Sequence, residues 1–340
     1  MTASVVIQTS FLGDTILTTP LLAQLAHRGP VDVVTTPAAA SVLKEHPAVR
    51  QVIVYDKRGA HAGLIGFLTM RSRLKTGGYD TAYLAQGSLR SALLVWAARI
   101  KERIGFATSS GSWFYTTRVA YRDDLHHAAR LLLLSRPNGR EPTLAEMRPS
   151  LAPTAAERKL VDELLRSSGV DAGERLIALA PGSVWATKRW PYYVELAQAL
   201  ADSGRIVIVG GPGDRALAKE IAAAVPNAVD ATDKLPLLAS ADLIGRCAVI
   251  VTNDSAPLHL ASAMGTPTVA IFGPTVPEFG FGPLAPVKAV LGHESLACRP
   301  CHRHGPKRCP LTHFRCMREL SVEAVAERTR SLFLTPDALV

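Results

Sequence analysis

The chain has 340 residues, 48% of them hydrophobic and 20% charged, a profile that excludes a disordered chain and fits two globular domains with sizeable cores. No apolar run approaches the ~20 residues of a membrane span, and the short apolar run near Met1 follows no basic stretch, so it reads as a first strand of a cytoplasmic protein and not as a signal peptide. The net charge of +9 is uneven: residues 1–150 carry 18 Lys and Arg against 10 Asp and Glu, and residues 151–340 carry 20 against 19.

A basic first half points to an anionic partner such as a phospholipid or a phosphorylated glycan, with solubility alone as the plainer account. The Lys-rich runs and interleaved aromatics of a nucleic-acid surface are missing, which argues against nucleic acid.

In chain order, residues 4–9, 31–35, 51–55 and 81–85 read as strands, with helical patterns at 15–27 and 88–98. Their continuous apolar runs suit parallel strands buried on both faces. Residues 119–148 are less regular. After a helix at 155–168, a second alternating series follows. Its strands fall at 176–180, 205–210, 248–252 and 268–272, and its helices at 192–202, 216–224, 237–246 and 257–264. This predicts an α/β protein of two Rossmann-like domains, 1–165 and 166–340, with parallel sheets facing a central cleft. Ligands of such sheets sit beyond the carboxyl ends of the strands, and the chemically notable segments fall there: 10–14, 181–188, 210–214 and 253–255.

In Ser10-Phe11-Leu12-Gly13-Asp14 a strand ends, glycine turns the chain and a carboxylate opens a helix. Asp14 has two readings, a helix N-cap or a general base that takes a proton from an acceptor hydroxyl. The loop Ala180-Pro181-Gly182-Ser183-Val184-Trp185-Ala186-Thr187-Lys188-Arg189-Trp190-Pro191 offers hydroxyls and cations that suit a phosphate, against the reading of an ordinary basic surface loop. Asn253-Asp254-Ser255-Ala256-Pro257-Leu258-His259 follows a strand and starts a helix, whose free amides near Ser255 would hold a diphosphate. His259, one turn further on, reads first as a packed histidine and second as a ligand.

Gly211-Pro212-Gly213-Asp214-Arg215-Ala216 matches a dinucleotide fingerprint on paper. It follows the second strand of its series and not the first, and Pro212 removes a donor, so a nicotinamide or flavin enzyme is disfavoured. No Asp-x-Asp triplet occurs, which favours Lys188, hydroxyls and a helix N-terminus over a metal as the partner of a diphosphate.

Together, Gly13-Asp14-Thr15-Ile16-Leu17-Thr18-Thr19-Pro20, the Pro181–Pro191 loop and Thr252-Asn253-Asp254-Ser255 with His259 resemble family 9 glycosyltransferases. These are the ADP-heptose:lipopolysaccharide heptosyltransferases, and the likeness is greatest to their heptosyltransferase II branch. The resemblance implies a GT-B fold and inverting, metal-independent transfer of heptose from ADP-heptose to the lipid A–Kdo inner core. It also implies peripheral contact with the inner membrane. It implies Asp14 as general base, Lys188 on the phosphates with Ser183 and Thr187 nearby, and Asp254 on the donor heptose. Ser255 and the amide of Ala256 fall at the diphosphate helix, Asp214 at the ribose and Leu235 at the adenine. Ala256-Pro257 departs from the Gly and apolar residue usual there. Arg58, Arg71, Arg73, Lys75 and Arg90 are candidates for the anionic acceptor, or else solvated cations. Another nucleotide sugar or acceptor, or an inactive binding protein of the same fold, are the competing readings.

Four of the five cysteines, Cys298, Cys301, Cys309 and Cys316, cluster near the end of the chain with His302, His304 and His313 among them. Cys-x2-Cys with further Cys and His suits a structural zinc; reduced thiols and disulfides are the alternatives. Similar Cys-rich segments recur in the heptosyltransferase II branch.

Overall fold

The computed structural model describes residues 3–136 and 139–334, which form two compact units dividing between Ala152 and Pro153. The first runs β1 (Ser4–Gln8), α1 (Leu12–Ala26), β2 (Val31–Thr35), α2 (Pro37–Leu43), β3 (Gln51–Val54), α3 (Gly63–Thr76), β4 (Thr81–Leu84), α4 (Leu89–Ala97), β5 (Glu102–Phe106), β6 (Thr117–Val119), α5 (His127–Leu133) and α6 (Leu144–Met147). Its six strands are parallel, in the order β3-β2-β1-β4-β5-β6, with Val6 paired to Val33 on one side and Tyr83 on the other.

The central strand explains the arrangement. Val5, Val6 and Ile7 are all fully buried, so both faces of β1 need a helical cover. On one face Met70 and Leu74 of α3 and Leu94 and Val95 of α4 close over Val5, Ile7, Val34 and Leu84. α1 covers β1 and β2 from the other side, packed on α5.

The second unit contains α7 (Ala155–Ser167), β7 (Leu176–Ala180), α8 (Tyr193–Leu200), β8 (Arg205–Ile208), α9 (Arg215–Ala224), β9 (Val229–Asp230), α10 (Leu237–Arg246), β10 (Val249–Asn253), α11 (Ala256–Met264), β11 (Thr268–Phe272), β12 (Lys288–Gly292), α12 (Arg315–Arg318) and α13 (Val322–Leu334). Its sheet is again parallel, ordered β12-β11-β10-β7-β8-β9. α7 packs on α10, and α13 on α8. α11 stops at Gly265, whose φ of 76° is the left-handed geometry of a helix C-cap. No helix among the described residues is long and apolar enough to cross a membrane.

Eight strands and seven helices lie where the sequence places them, with ends shifted by up to three residues. β5, β6, β9 and β12 are additional strands, as α2, α3, α5, α6, α12 and α13 are additional helices. β5 begins with Glu102 and Arg103 and β6 has three residues, so neither carries the apolar run that marks a buried strand.

Candidate active site

Each sheet has one place where the chain order reverses: between β1 and β4 in the first unit, and between β7 and β10 in the second. The loops beyond the carboxyl ends at such a switch point are splayed apart, which makes them the usual ligand position of an open α/β sheet.

In the first unit these loops carry Asp14 and Gln86. The structure corrects the N-cap reading of Asp14. α1 starts at Leu12, three residues before the expected start, so Phe11 is the N-cap and Asp14 is the third helical residue. The Phe11 ring cannot accept a hydrogen bond. The Asp14 carboxylate accepts one from the Phe11 backbone N–H at 3.3 Å, which fixes its rotamer. His127, the first residue of α5, brings Nε2 to 3.6 Å from the same carboxylate. Beside it, the Lys57 ammonium donates to Thr9 Oγ1 at 2.7 Å, and Gln86 Nε2 donates to Thr9 Oγ1 and, at 2.8 Å, to Ser91 Oγ. Burial, and then the charges of Arg90 and Arg58, lower the Lys57 pKa from its ordinary value.

The second switch point is built more tightly. Lys188 ends a 3₁₀ turn, Ala186–Lys188, in the first β-α loop of the unit, and Asp254 follows β10. Lys188 Nζ donates to Asp254 Oδ2 at 2.5 Å, and Thr275 Oγ1 donates to the same oxygen at 2.7 Å. Lys188 and Asp254 are each only 9% exposed. Asn253, fully buried, joins the two loops: its Oδ1 accepts from the Trp190 backbone N–H at 3.1 Å, and its Nδ2 donates to the carbonyls of Pro181 at 2.9 Å and Gly182 at 3.3 Å. The sequence marks Asn253 only as the neighbour of Asp254; its role shows only when β10 and β7 are paired.

The other donor-side candidates lie in the loops and helix starts that follow β7, β8, β9 and β10. Asp214 accepts from the Gly211 N–H at 3.0 Å, and its carboxylate lies so close over Gly182 that a Cβ there would overlap it. Leu235 precedes α10 in a loop tied to the β8 end by a bond from the Asp233 N–H to the Gly210 carbonyl. Ser183 is buried, and Thr187 donates to the Pro306 carbonyl at 2.5 Å. Ser255 is the N-cap of α11 and Ala256 its first residue, with Pro257 removing the next backbone donor. His259 is buried, its ring 6.4 Å from that of Phe281 in an edge-on contact, the packed arrangement. The Gly211–Ala216 fingerprint follows β8, the second strand of its unit, and the first β-α turn is the Lys188 loop. That match is therefore not in the place a dinucleotide fingerprint takes.

The five acceptor candidates do not come together. Arg58 and Arg90 lie by the carboxyl ends, where Arg90 Nε donates to the Tyr55 hydroxyl at 2.9 Å. Arg71, Arg73 and Lys75 lie in the second half of α3, which runs back toward the amino ends of the strands.

Against known proteins, the sequence pattern described as glycosyltransferase family 9 (heptosyltransferase) matches residues 67–311. The chain belongs to glycosyltransferase family 9. It is 28% identical to the lipopolysaccharide heptosyltransferase 1 of Pseudomonas aeruginosa, with 98% of both chains covered. It is 34% identical to the lipooligosaccharide heptosyltransferase 2 of Campylobacter jejuni over 169 residues, 47% of this chain and 51% of that one, so this match spans about half of the relative. The solved structure of E. coli ADP-heptose lps heptosyltransferase II superimposes with a TM-score of 0.79 at 24% identity, covering 99% of this chain and 100% of that one, a likeness of fold.

In this glycosyltransferase the Cys-rich segment takes a place that spacing does not reveal. Besides accepting from Thr187, it puts Gly305 against the Lys188 side chain, in a left-handed backbone conformation with φ 87°. Of the three readings of this segment, the geometry shows reduced thiols. All five cysteines are free thiols, and among the described residues no three His, Cys, Asp or Glu side chains group so as to hold a metal. Cys298 Sγ lies 3.9 Å from His313 Nε2, and Cys301 Sγ instead donates to the Cys298 carbonyl. Burial pushes the Cys316 thiol up to about 11, so it stays protonated at neutral pH. The segment is anchored by Arg299, whose guanidinium donates to the carbonyls of Phe272, Gly273, Thr275 and His293.

Proposed function

We propose that the chain transfers a heptose from ADP-heptose to the lipid A–Kdo inner core of lipopolysaccharide, inverting the anomeric centre and requiring no metal. The observation that carries this reading is the buried Lys188–Asp254–Thr275 cluster beyond β7 and β10, a charged group placed where the fold binds nucleotides. The full-length likeness to a heptosyltransferase supports the sugar.

The acceptor hydroxyl oxygen attacks the anomeric carbon, its proton passes to the Asp14 carboxylate, and the bond from that carbon to the diphosphate oxygen breaks to release ADP. Negative charge grows on the leaving diphosphate. Lys188 and the amides at the start of α11 meet that charge, so they stabilise the transition state more than the bound donor. Asp254 orients the donor heptose, Asp214 the ribose and Leu235 the adenine. His127 lies beside Asp14, its Nε2 3.6 Å from the carboxylate. A reaction that draws its positive charge from Lys188 runs in EDTA. We place the enzyme in the cytoplasm, where it meets the inner membrane peripherally.

The test is ADP release from ADP-heptose, measured with lipid A–Kdo and with its mono-heptosylated product as acceptors. Release that depends on one of them supports the proposal and identifies which heptose is added. No release with either, from folded protein, overturns it.

A further inference from the structure

The positive charge of the first unit is concentrated in one segment. Residues 57–120 hold ten Lys and Arg against two Asp and Glu, while the rest of residues 1–150 holds eight of each. At least four of the eight cations elsewhere in the unit pair with carboxylates: Arg50 with Asp32, Arg122 with Asp124 and Glu141, and Arg136 and Arg140 with Glu146. Among the described residues, Arg71, Arg73, Lys75, Arg99, Lys101 and Arg103 form no ion pair with a carboxylate. Four of these six line a cavity of about 520 Å³ at the amino ends of the strands, with the Trp96 ring as part of its wall. Arg71 Nε donates to the Ala97 carbonyl at 3.0 Å, which ties α3 to the end of α4 beside it.

The same surface is apolar next to those cations. Of the twelve large apolar side chains exposed among the described residues, six fall here: Leu64, Ile65, Leu68, Leu89, Trp96 and Trp113. Leu64, Leu68, Arg71 and Lys75 follow one another at helical spacing, so the outward stripe of α3 runs from apolar to cationic along its length. Leu89 and Trp96 share the outward face of α4. The Phe114 ring lies 5.4 Å from Trp96 and 6.0 Å from Trp113, joining the two indoles into one aromatic surface. Opposite, the buried faces of both helices are already occupied by the sheet.

Exposed indoles and leucines rimmed by unpaired cations, with few acids between, match one solvent boundary: the headgroup layer of an anionic bilayer. Tryptophan settles at headgroup level, apolar side chains reach the acyl boundary, and Lys and Arg stay with the phosphates. We infer that the outward face of α3 and α4, with Trp113, docks the protein on an anionic lipid surface. A soluble anion would use the cations and leave the indoles in water; a protein partner would need no such one-sided charge. The inference accords with a lipid-linked acceptor but rests on this face alone.

Vesicle sedimentation tests it without donor or acceptor, so its failure leaves the transfer reading untouched. Binding should be much stronger to phosphatidylcholine vesicles containing phosphatidylglycerol than to phosphatidylcholine alone. It should fall as salt rises, and tryptophan emission should shift to the blue on binding. Arg99 has a φ of 62°, so asparagine, which tolerates that conformation, is the conservative replacement. Arg99→Asn with Lys101→Gln should lower the partition coefficient about thirtyfold, from two surface charges lost. Trp113→Ser should lower it separately, with circular dichroism and thermal midpoint unchanged in both. Equal binding to neutral and anionic vesicles overturns the inference. So does undiminished binding by the folded charge variant, self-association that covers the indoles without vesicle binding, or binding of inorganic phosphate alone.

Discussion

Replacing Lys188 with alanine removes one member of a pair whose two charges are each about nine-tenths buried and 2.5 Å apart. At an effective dielectric of ~20 the gross attraction at that distance is about 6–7 kcal/mol. Desolvation of both groups cancels much of it, so the pair adds little net stability, but breaking it leaves the Asp254 carboxylate buried with only the Thr275 hydroxyl as a side-chain donor. The expected loss is about 3–5 kcal/mol, or roughly 6–20 °C in the midpoint of a unit this size. On the proposed function the same change also removes a charge-assisted contact to the diphosphate, so ADP affinity should fall by ~1.5–3 kcal/mol. Urea unfolding without ligand measures the first effect, calorimetry with ADP the second. The double variant Lys188→Met with Asp254→Leu separates them, because two apolar groups fill the space without a stranded charge. It should regain most of the stability and none of the ADP release. A Lys188→Ala protein less than about 1 kcal/mol weaker, or a double variant that still turns over, would refute the reasoning.

Asp14→Asn should leave ADP binding and stability nearly unchanged, since the amide oxygen can still accept from Phe11, and should cut turnover by ~10²–10⁴; near-normal turnover removes the base. Gly182→Ala should displace the Asp214 carboxylate that covers Gly182 and so weaken ADP binding more than it weakens the fold, read by calorimetry against urea unfolding. In the first unit, burial and then the Asp32 carboxylate, which accepts from Tyr79 at 2.6 Å, raise the Tyr79 pKa above its ordinary value. A raised pKa contributes stability that is full below about pH 10 and lost as pH climbs through the folded value. Tyr79→Phe should therefore lower stability by ~1 kcal/mol at neutral pH and flatten its alkaline decline, measured by urea unfolding across pH.

The parts of this protein that could be read from its sequence are those encoded within one stretch. β7 is aliphatic throughout, β1 and β11 have apolar stretches at Val5–Ile7 and Val269–Phe272, and β2 is β-branched but for Asp32, patterns that suit strands buried on both faces. Lys188 and Asp254 stand out because each follows such a strand, and the turn residues around them mark the loops. What the sequence does not contain is strand order. Asn253 joins Trp190 to the Pro181–Gly182 carbonyls only because β10 lies beside β7, across 63 residues. His127 reaches Asp14 only because α5 packs on α1. α3 was hidden for another reason: its first turn is Gly63-Leu64-Ile65-Gly66 and its last is cationic, so its apolar residues form no inward stripe that periodicity can separate from the outward one.

Cysteine spacing singles out residues 298–316 without showing what holds them, and the residue that organises the segment is the arginine between the first two thiols. Arg299 presents its guanidinium to four carbonyls, two at the end of β11, one at Thr275 and one at His293. Thr275 in turn donates to Asp254, the partner of Lys188. The consequence is a chain of contacts from the irregular segment to the buried pair, running through backbone that has no strand partner of its own. Arg299→Lys keeps the charge but replaces a planar fork by a single ammonium, which cannot reach carbonyls on both sides of the turn. About 1–3 kcal/mol of stability should be lost through the carbonyls left without a donor. With Thr275 no longer held, Asp254 should lose its fixed rotamer, so KM for the donor should rise while the KM for the acceptor holds. A variant that loses stability but keeps both KM values would confine Arg299 to the fold. Thiol chemistry gives the opposite pattern: serine at all four clustered cysteines should leave donor KM unchanged, because Arg299 and the Thr187–Pro306 bond, not sulfur, hold the segment over Lys188.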